Sequence, residues 1–163
     1  MKVIFLDVDG VLNCSKTSNP KQLPYIIDRR LLRRFVAITR RTQAKVVLSS
    51  TWRYDPVGRW AAKHHGIRFI GWTPDLPTKS RCDEIKRWLK AHPRVNRFAI
   101  LDDEDDGLDS LPLFQPSAKT GLTKEIAVGL IDYLNGKTDQ DMRRSLLVRT
   151  LQDVSALVRG HPG

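Results

Sequence analysis

The chain has 163 residues, 40 % of them hydrophobic and 28 % charged, and carries a formal net charge of +10. That length supports one domain with a full core, and no run approaches the roughly 18 apolar residues of a membrane helix. Its two cysteines, Cys14 and Cys82, have no metal-ligand spacing and form no disulfide framework, so the expected setting is reducing and cytoplasmic, away from membranes.

A first strand is predicted over 3–8, ending in Asp7-Val8-Asp9-Gly10. Side chains at i and i+2 of a strand point the same way, so both carboxylates reach one spot. They stand at the carboxyl end of a strand, where open α/β sheets place their sites, and Gly10 permits a sharp turn past them. Asp-x-Asp-Gly also begins EF-hand calcium loops, but here Val11 and Leu12 follow and no closing glutamate appears. The N-terminus passes from one lysine straight into a strand pattern that already carries acids, which argues against a signal peptide. A polar, proline-containing loop leads to Asp28, the expected N-cap of a helix over 29–42.

On a wheel of about 100° per residue, Arg29, Arg30, Arg33, Arg34, Arg40 and Arg41 share one side of that helix. Leu31, Leu32, Phe35, Val36 and Ile38 share the other. The arginine strip reads either as a phosphate track or as a solvated face.

Lys45–Ser49 is a second strand. Asp55-Pro56 opens a helix that Gly66 ends, and Arg68–Gly71 is a third strand. A helix over 80–91, a strand over Arg97–Asp102 and a weak strand near 112–115 follow. Thr123 caps a helix closed by Gly136. This alternation predicts an α/β fold, a parallel sheet with helices on both faces. Residues 1–136 form the expected domain. Residues 137–163 form an amphipathic C-terminal helix, its stripe of Met142, Leu146, Leu147, Leu151, Val154 and Leu157 packing on the domain or on a second subunit as a homodimer.

Three motifs end other strands or open helices. Ser49-Ser50-Thr51-Trp52-Arg53 offers hydroxyls and backbone N–H groups to a phosphate. Asp102-Asp103-Glu104-Asp105-Asp106 concentrates carboxylates that repel one another unless a cation joins them. With Asp7 they make an all-oxygen set suited to Mg²⁺. Lys79 and Arg81 start a helix and could offset charge on a nucleophile and a phosphate. Basic residues outnumber acidic ones 23 to 15 over 1–136, so an acidic site sits in a basic body, which points to an anionic partner.

Taken in order, DVDGVLN, LSSTWR, RCDEIKRWL, ILDDEDD and TGLT resemble the haloacid dehalogenase (HAD) superfamily of phosphohydrolases, most closely the HAD domains of Swiss Army Knife RNA repair proteins. The resemblance covers about residues 1–135. It implies a Rossmann-like three-layer sandwich with Asp7 as nucleophile and Asp9 as general acid and base. It further implies Mg²⁺ held by Asp7, the Asp9 carbonyl and Asp102, with Asp103 supporting the metal's water shell. Ser49 and Ser50 would bind the phosphate, and Arg81, with Lys79 in reserve, would supply the cation. Only 18 residues separate Asp9 from Asp28 and nine separate Ile70 from Ser80, so neither gap holds a cap domain.

An uncapped site cannot enclose a small metabolite but admits the end of a large one. The expected activity is therefore a phosphomonoesterase acting on phosphorylated nucleic acid ends. A phosphoprotein substrate, a small-substrate phosphatase and a non-catalytic nucleic-acid-binding module remain as alternatives. Asn13, Trp52 and Arg53 are further expected substrate contacts. Trp52 and Trp72 are candidates to stack a base. Trp60 and Trp88 read as core.

Overall fold

The computed structural model describes residues 1–137. The predicted helix over 139–158 lies outside the described residues, and with it the proposed self-packing or dimer contact. Every other predicted element is present, within one or two residues of its expected ends. Strands β1 (Lys2–Leu6), β2 (Lys45–Leu48), β3 (Phe69–Trp72), β4 (Arg97–Leu101) and β5 (Leu113–Phe114) form one sheet. Helices α1 (Arg29–Thr42), α2 (Pro56–His64), α3 (Arg81–Ala91) and α4 (Lys124–Leu134) cover it.

The sheet is parallel throughout, in the order β3-β2-β1-β4-β5. β1 is central, with Leu6 aligned on both Leu48 and Leu101. Its side chains are fully buried from Val3 to Leu6 and alternate between two cores. Ile4 and Leu6 join Phe35, Ile38, Ala62 and Leu130 of α1, α2 and α4. Val3 and Phe5 join Cys82, Ile85 and Trp88 of α3 on the opposite face. The result is three layers.

Local chemistry sets the helix ends. Asp28 accepts from the Arg30 and Leu31 amides, Asp55 from Val57 and Thr123 from Ile126. Ser80 and Asp83 form a reciprocal capping box at α3. Strand order reverses between β1 and β4, and a crevice at such a switch point is where open α/β sheets bind ligands. Residues 13–28 and 73–80 hold no helix or strand, so among the described residues no cap covers that crevice. No described helix is long and apolar enough to cross a membrane.

Candidate active site

β1 and β4 are adjacent and in register, so the residues just past their ends meet. Asp7 and Asp102 are 6 % and 0 % exposed, and each lies one residue beyond its strand. Both follow the parity of the α3 face, where Arg81 begins the helix. The Arg81 guanidinium pairs with Asp102 Oδ2 and lies 3.6 Å from Asp7 Oδ1. Lys79 is exposed and forms no ion pair among the described residues, so geometry singles out Arg81 as the cation at this centre. The second oxygen of Asp102 accepts the Glu104 amide at 3.1 Å, and Asp106 accepts the Arg81 amide at 3.0 Å. The acidic loop thus folds over the start of α3.

Asp7 is pushed up to about 7, first by burial and then by the charge of Asp102; Arg81 and the facing Ser50 hydroxyl act in the opposite direction. Burial by itself would lower Arg81, but Asp102 and Asp7 hold it above its usual value. Asp103 is raised, first by burial and then by Asp102 and Glu104. Its carboxylate lies against Gly10, whose φ of +71° is left-handed. A Cβ at that glycine would overlap Asp103.

Ligand atoms of Asp7, Asp102 and Asp103 lie within 4.8 Å of one another. Three carboxylates face one guanidinium, and burial together with the charge of Asp102 raises Asp7. A hard divalent cation with a taste for oxygen fits this donor set. Asp103, assigned to the water shell from sequence, has a carboxylate oxygen inside the cluster. The Asp9 carboxylate is not in the cluster.

Asp9 is held elsewhere. Its Oδ2 accepts the Trp52 indole N–H at 2.8 Å and its Oδ1 accepts the Asn13 amide at 2.7 Å. Asn13 also accepts the Gly10 N–H at 3.0 Å and donates to the Ile26 carbonyl. Trp52 is 3 % exposed and packs edge-on against Tyr25, with ring centroids 5.0 Å apart. The expectation that Trp52 stacks a base is therefore corrected: its face is buried and its one donor is engaged. Asn13 and Trp52 position Asp9.

Arg53, expected to contact substrate, likewise turns inward. It is 4 % exposed, ion-paired with Glu84, and donates to the Ser49 and Ser50 carbonyls. The two serines divide. The Ser49 hydroxyl is fully buried and has no hydrogen-bond partner among the described residues. The Ser50 side chain faces Asp7 and accepts the Trp52 amide. Thr51, one residue on, is exposed and lines the groove of about 210 Å³ with Asp7, Asp9, Gly10, Arg81, Asp103 and Glu104. Sequence reasoning missed Thr51 and Glu104, although both stood inside motifs it had singled out. Trp60 is 62 % exposed, against expectation, and stacks on His64, whereas Trp88 is buried as expected.

A buried carboxylate beside a guanidinium, a second carboxylate two residues on, a hydroxyl and an acidic cluster can carry nucleophilic displacement at phosphorus. A family model described as the HAD domain in Swiss Army Knife RNA repair proteins matches residues 3–127. No curated protein and no solved structure gives a match. With its motifs gathered at one crevice and the match spanning most of its length, the chain belongs to this family of HAD domains.

Proposed function

We propose that the protein is a Mg²⁺-dependent phosphomonoesterase acting on phosphorylated nucleic acid ends. The observation that carries the chemistry is the pairing of a buried Asp7 beside Arg81 with an accessible, clamped Asp9. Asp7 attacks phosphorus and its oxygen bonds to it as the bond to the substrate's ester oxygen breaks. Asp9 gives its proton to that leaving oxygen, so a neutral alcohol departs. Asp9 then takes a proton from water, whose oxygen attacks phosphorus and releases inorganic phosphate and the Asp7 carboxylate.

Arg81 balances charge on Asp7 and on the transferring group. Thr51 in the groove, with Ser50 beside Asp7, would hold phosphate oxygens. Asp7, Asp102, Asp103 and the Asp9 carbonyl would hold Mg²⁺, which supplies charge neutralisation of the carboxylates and the phosphoryl oxygens when bound. The nucleic acid reading draws on the crevice left uncapped among the described residues, the basic body and the family's place in RNA repair proteins.

The test is phosphate release from 3′- and 5′-phosphorylated RNA and DNA oligonucleotides, mononucleotides, sugar phosphates and a phosphopeptide. Each is assayed with Mg²⁺ and with chelator, beside Asp7→Asn. Metal-dependent turnover strongest on oligonucleotides is expected. Preference for mononucleotides or sugar phosphates would replace the substrate reading, and no turnover on any substrate would overturn the activity.

A further inference from the structure

The arginine strip of α1 does not form one track. Arg29 lines a cleft with His64 and His65, and Arg40 lines another with Lys45 and Arg68, at the end of the sheet away from the candidate active site. Arg30 and Arg34 instead face a third cleft of about 280 Å³, which they share with Lys16, Lys124, Thr120 and Glu125. Four cations and one carboxylate line it, and the largely exposed Arg30 also pairs with Asp28 at 3.5 Å.

The third cleft begins where the catalytic loop ends. Cys14 lines it, and the preceding residue, Asn13, holds Asp9. Its floor is pinned in place: the Ser15 amide donates to the Ala118 carbonyl at 2.9 Å, and the Leu122 amide to Val11 at 2.9 Å. The Arg34 guanidinium donates to the Leu122 carbonyl at 2.9 Å. Gly121, with φ of +64°, lets this loop lie against Leu31 and the Val11 carbonyl, a space any Cβ would fill. The one carboxylate, Glu125, is tied back to its own amide and the Thr123 hydroxyl, which with Arg34 and Lys124 keep it below the usual range.

We infer that this cleft is a second phosphate-binding site, one that takes the phosphodiester backbone of the strand whose terminal phosphate lies at Asp7. The inference rests on the nucleic acid reading above. Lys16, Arg30 and Lys124 reach backbone phosphates, Arg34 contributes charge while bracing the floor, and the Thr120 hydroxyl offers a further donor. Affinity then depends on strand length and salt, and little on base identity.

The test compares wild type, K16E/K124E and R40E/R68E, the last reversing equal charge in the far cleft. KM is measured on phosphorylated oligonucleotides of one, three and six nucleotides. Binding of an unphosphorylated labelled hexanucleotide is followed by anisotropy between 50 and 200 mM salt. In wild type KM should fall with length. In K16E/K124E that fall should vanish, hexanucleotide binding should weaken about tenfold or more, and the log–log salt slope should drop by about 1.4, near 0.7 per lost contact. R40E/R68E should keep the length dependence. Equal effects of the two variants, an unchanged salt slope in K16E/K124E, or tighter binding of an acidic phosphopeptide than of the hexanucleotide would overturn the cleft. Since the binding arm needs no turnover, failure of the phosphatase reading shows separately, as absence of phosphate release.

Discussion

Asp7→Asn should stabilise the metal-free protein, and by an amount that grows with pH. In the folded protein Asp7 is pushed up to about 7, from an ordinary 3.8, by burial and by Asp102. Because the folded value lies above the unfolded one, the folded state retains a proton that the unfolded chain has already lost. Stability from this group is complete below about pH 4 and disappears as pH rises through 7. About three units at about 1.4 kcal/mol each sets a ceiling near 4 kcal/mol at pH 8. Asparagine has nearly the same volume and no charge, so it removes the slope without opening a cavity. Urea denaturation in chelator at pH 4.5, 6 and 8 reads the effect. The variant should lie within about 1 kcal/mol of wild type at the lowest pH and exceed it by roughly 2–4 kcal/mol at the highest. Added Mg²⁺ should narrow the gap by stabilising wild type, since a ligand that binds only the folded state adds to its stability. A difference that stays constant across pH would refute the picture of an undercompensated buried carboxylate.

Three other outcomes follow from the same geometry. Trp52→Phe deletes one hydrogen bond to a carboxylate, worth about 1.5–3 kcal/mol, so kcat should fall about tenfold to a hundredfold with KM nearly constant; a raised KM with intact kcat would restore Trp52 as a substrate contact. Gly10→Ala forces a left-handed alanine against Asp103, so the rise in melting temperature on adding Mg²⁺ should be lost, as differential scanning calorimetry can measure. Arg53→Met leaves Glu84 charged and buried and should cost about 3–5 kcal/mol in urea denaturation, with the Glu84→Met double variant recovering much of it; a change in KM without a change in stability would return Arg53 to the substrate.

The sequence alone determined the elements and the place where chemistry gathers. Strand and helix periodicities differ, caps such as Asp28, Ser80 and Thr123 act within one turn, and an Asp-x-Asp pair at a strand end shares a face whatever surrounds it. Such signals are local, so they survive without knowledge of packing. Tertiary structure alone decided the roles that depend on which neighbour arrives. After β2 the Ser50 side chain faces Asp7, while the Ser49 hydroxyl is buried without a partner among the described residues. Trp52 and Arg53 look like surface groups beside a site, yet one meets Asp9 and the other Glu84, residues 43 and 31 positions away. Arg81 surpasses Lys79 because α3 begins where β1 and β4 end side by side, and the arginines of α1 separate because a different part of the chain completes each cleft they line. A helical wheel or a motif spacing fixes direction along one element; long-range packing fixes what stands in that direction.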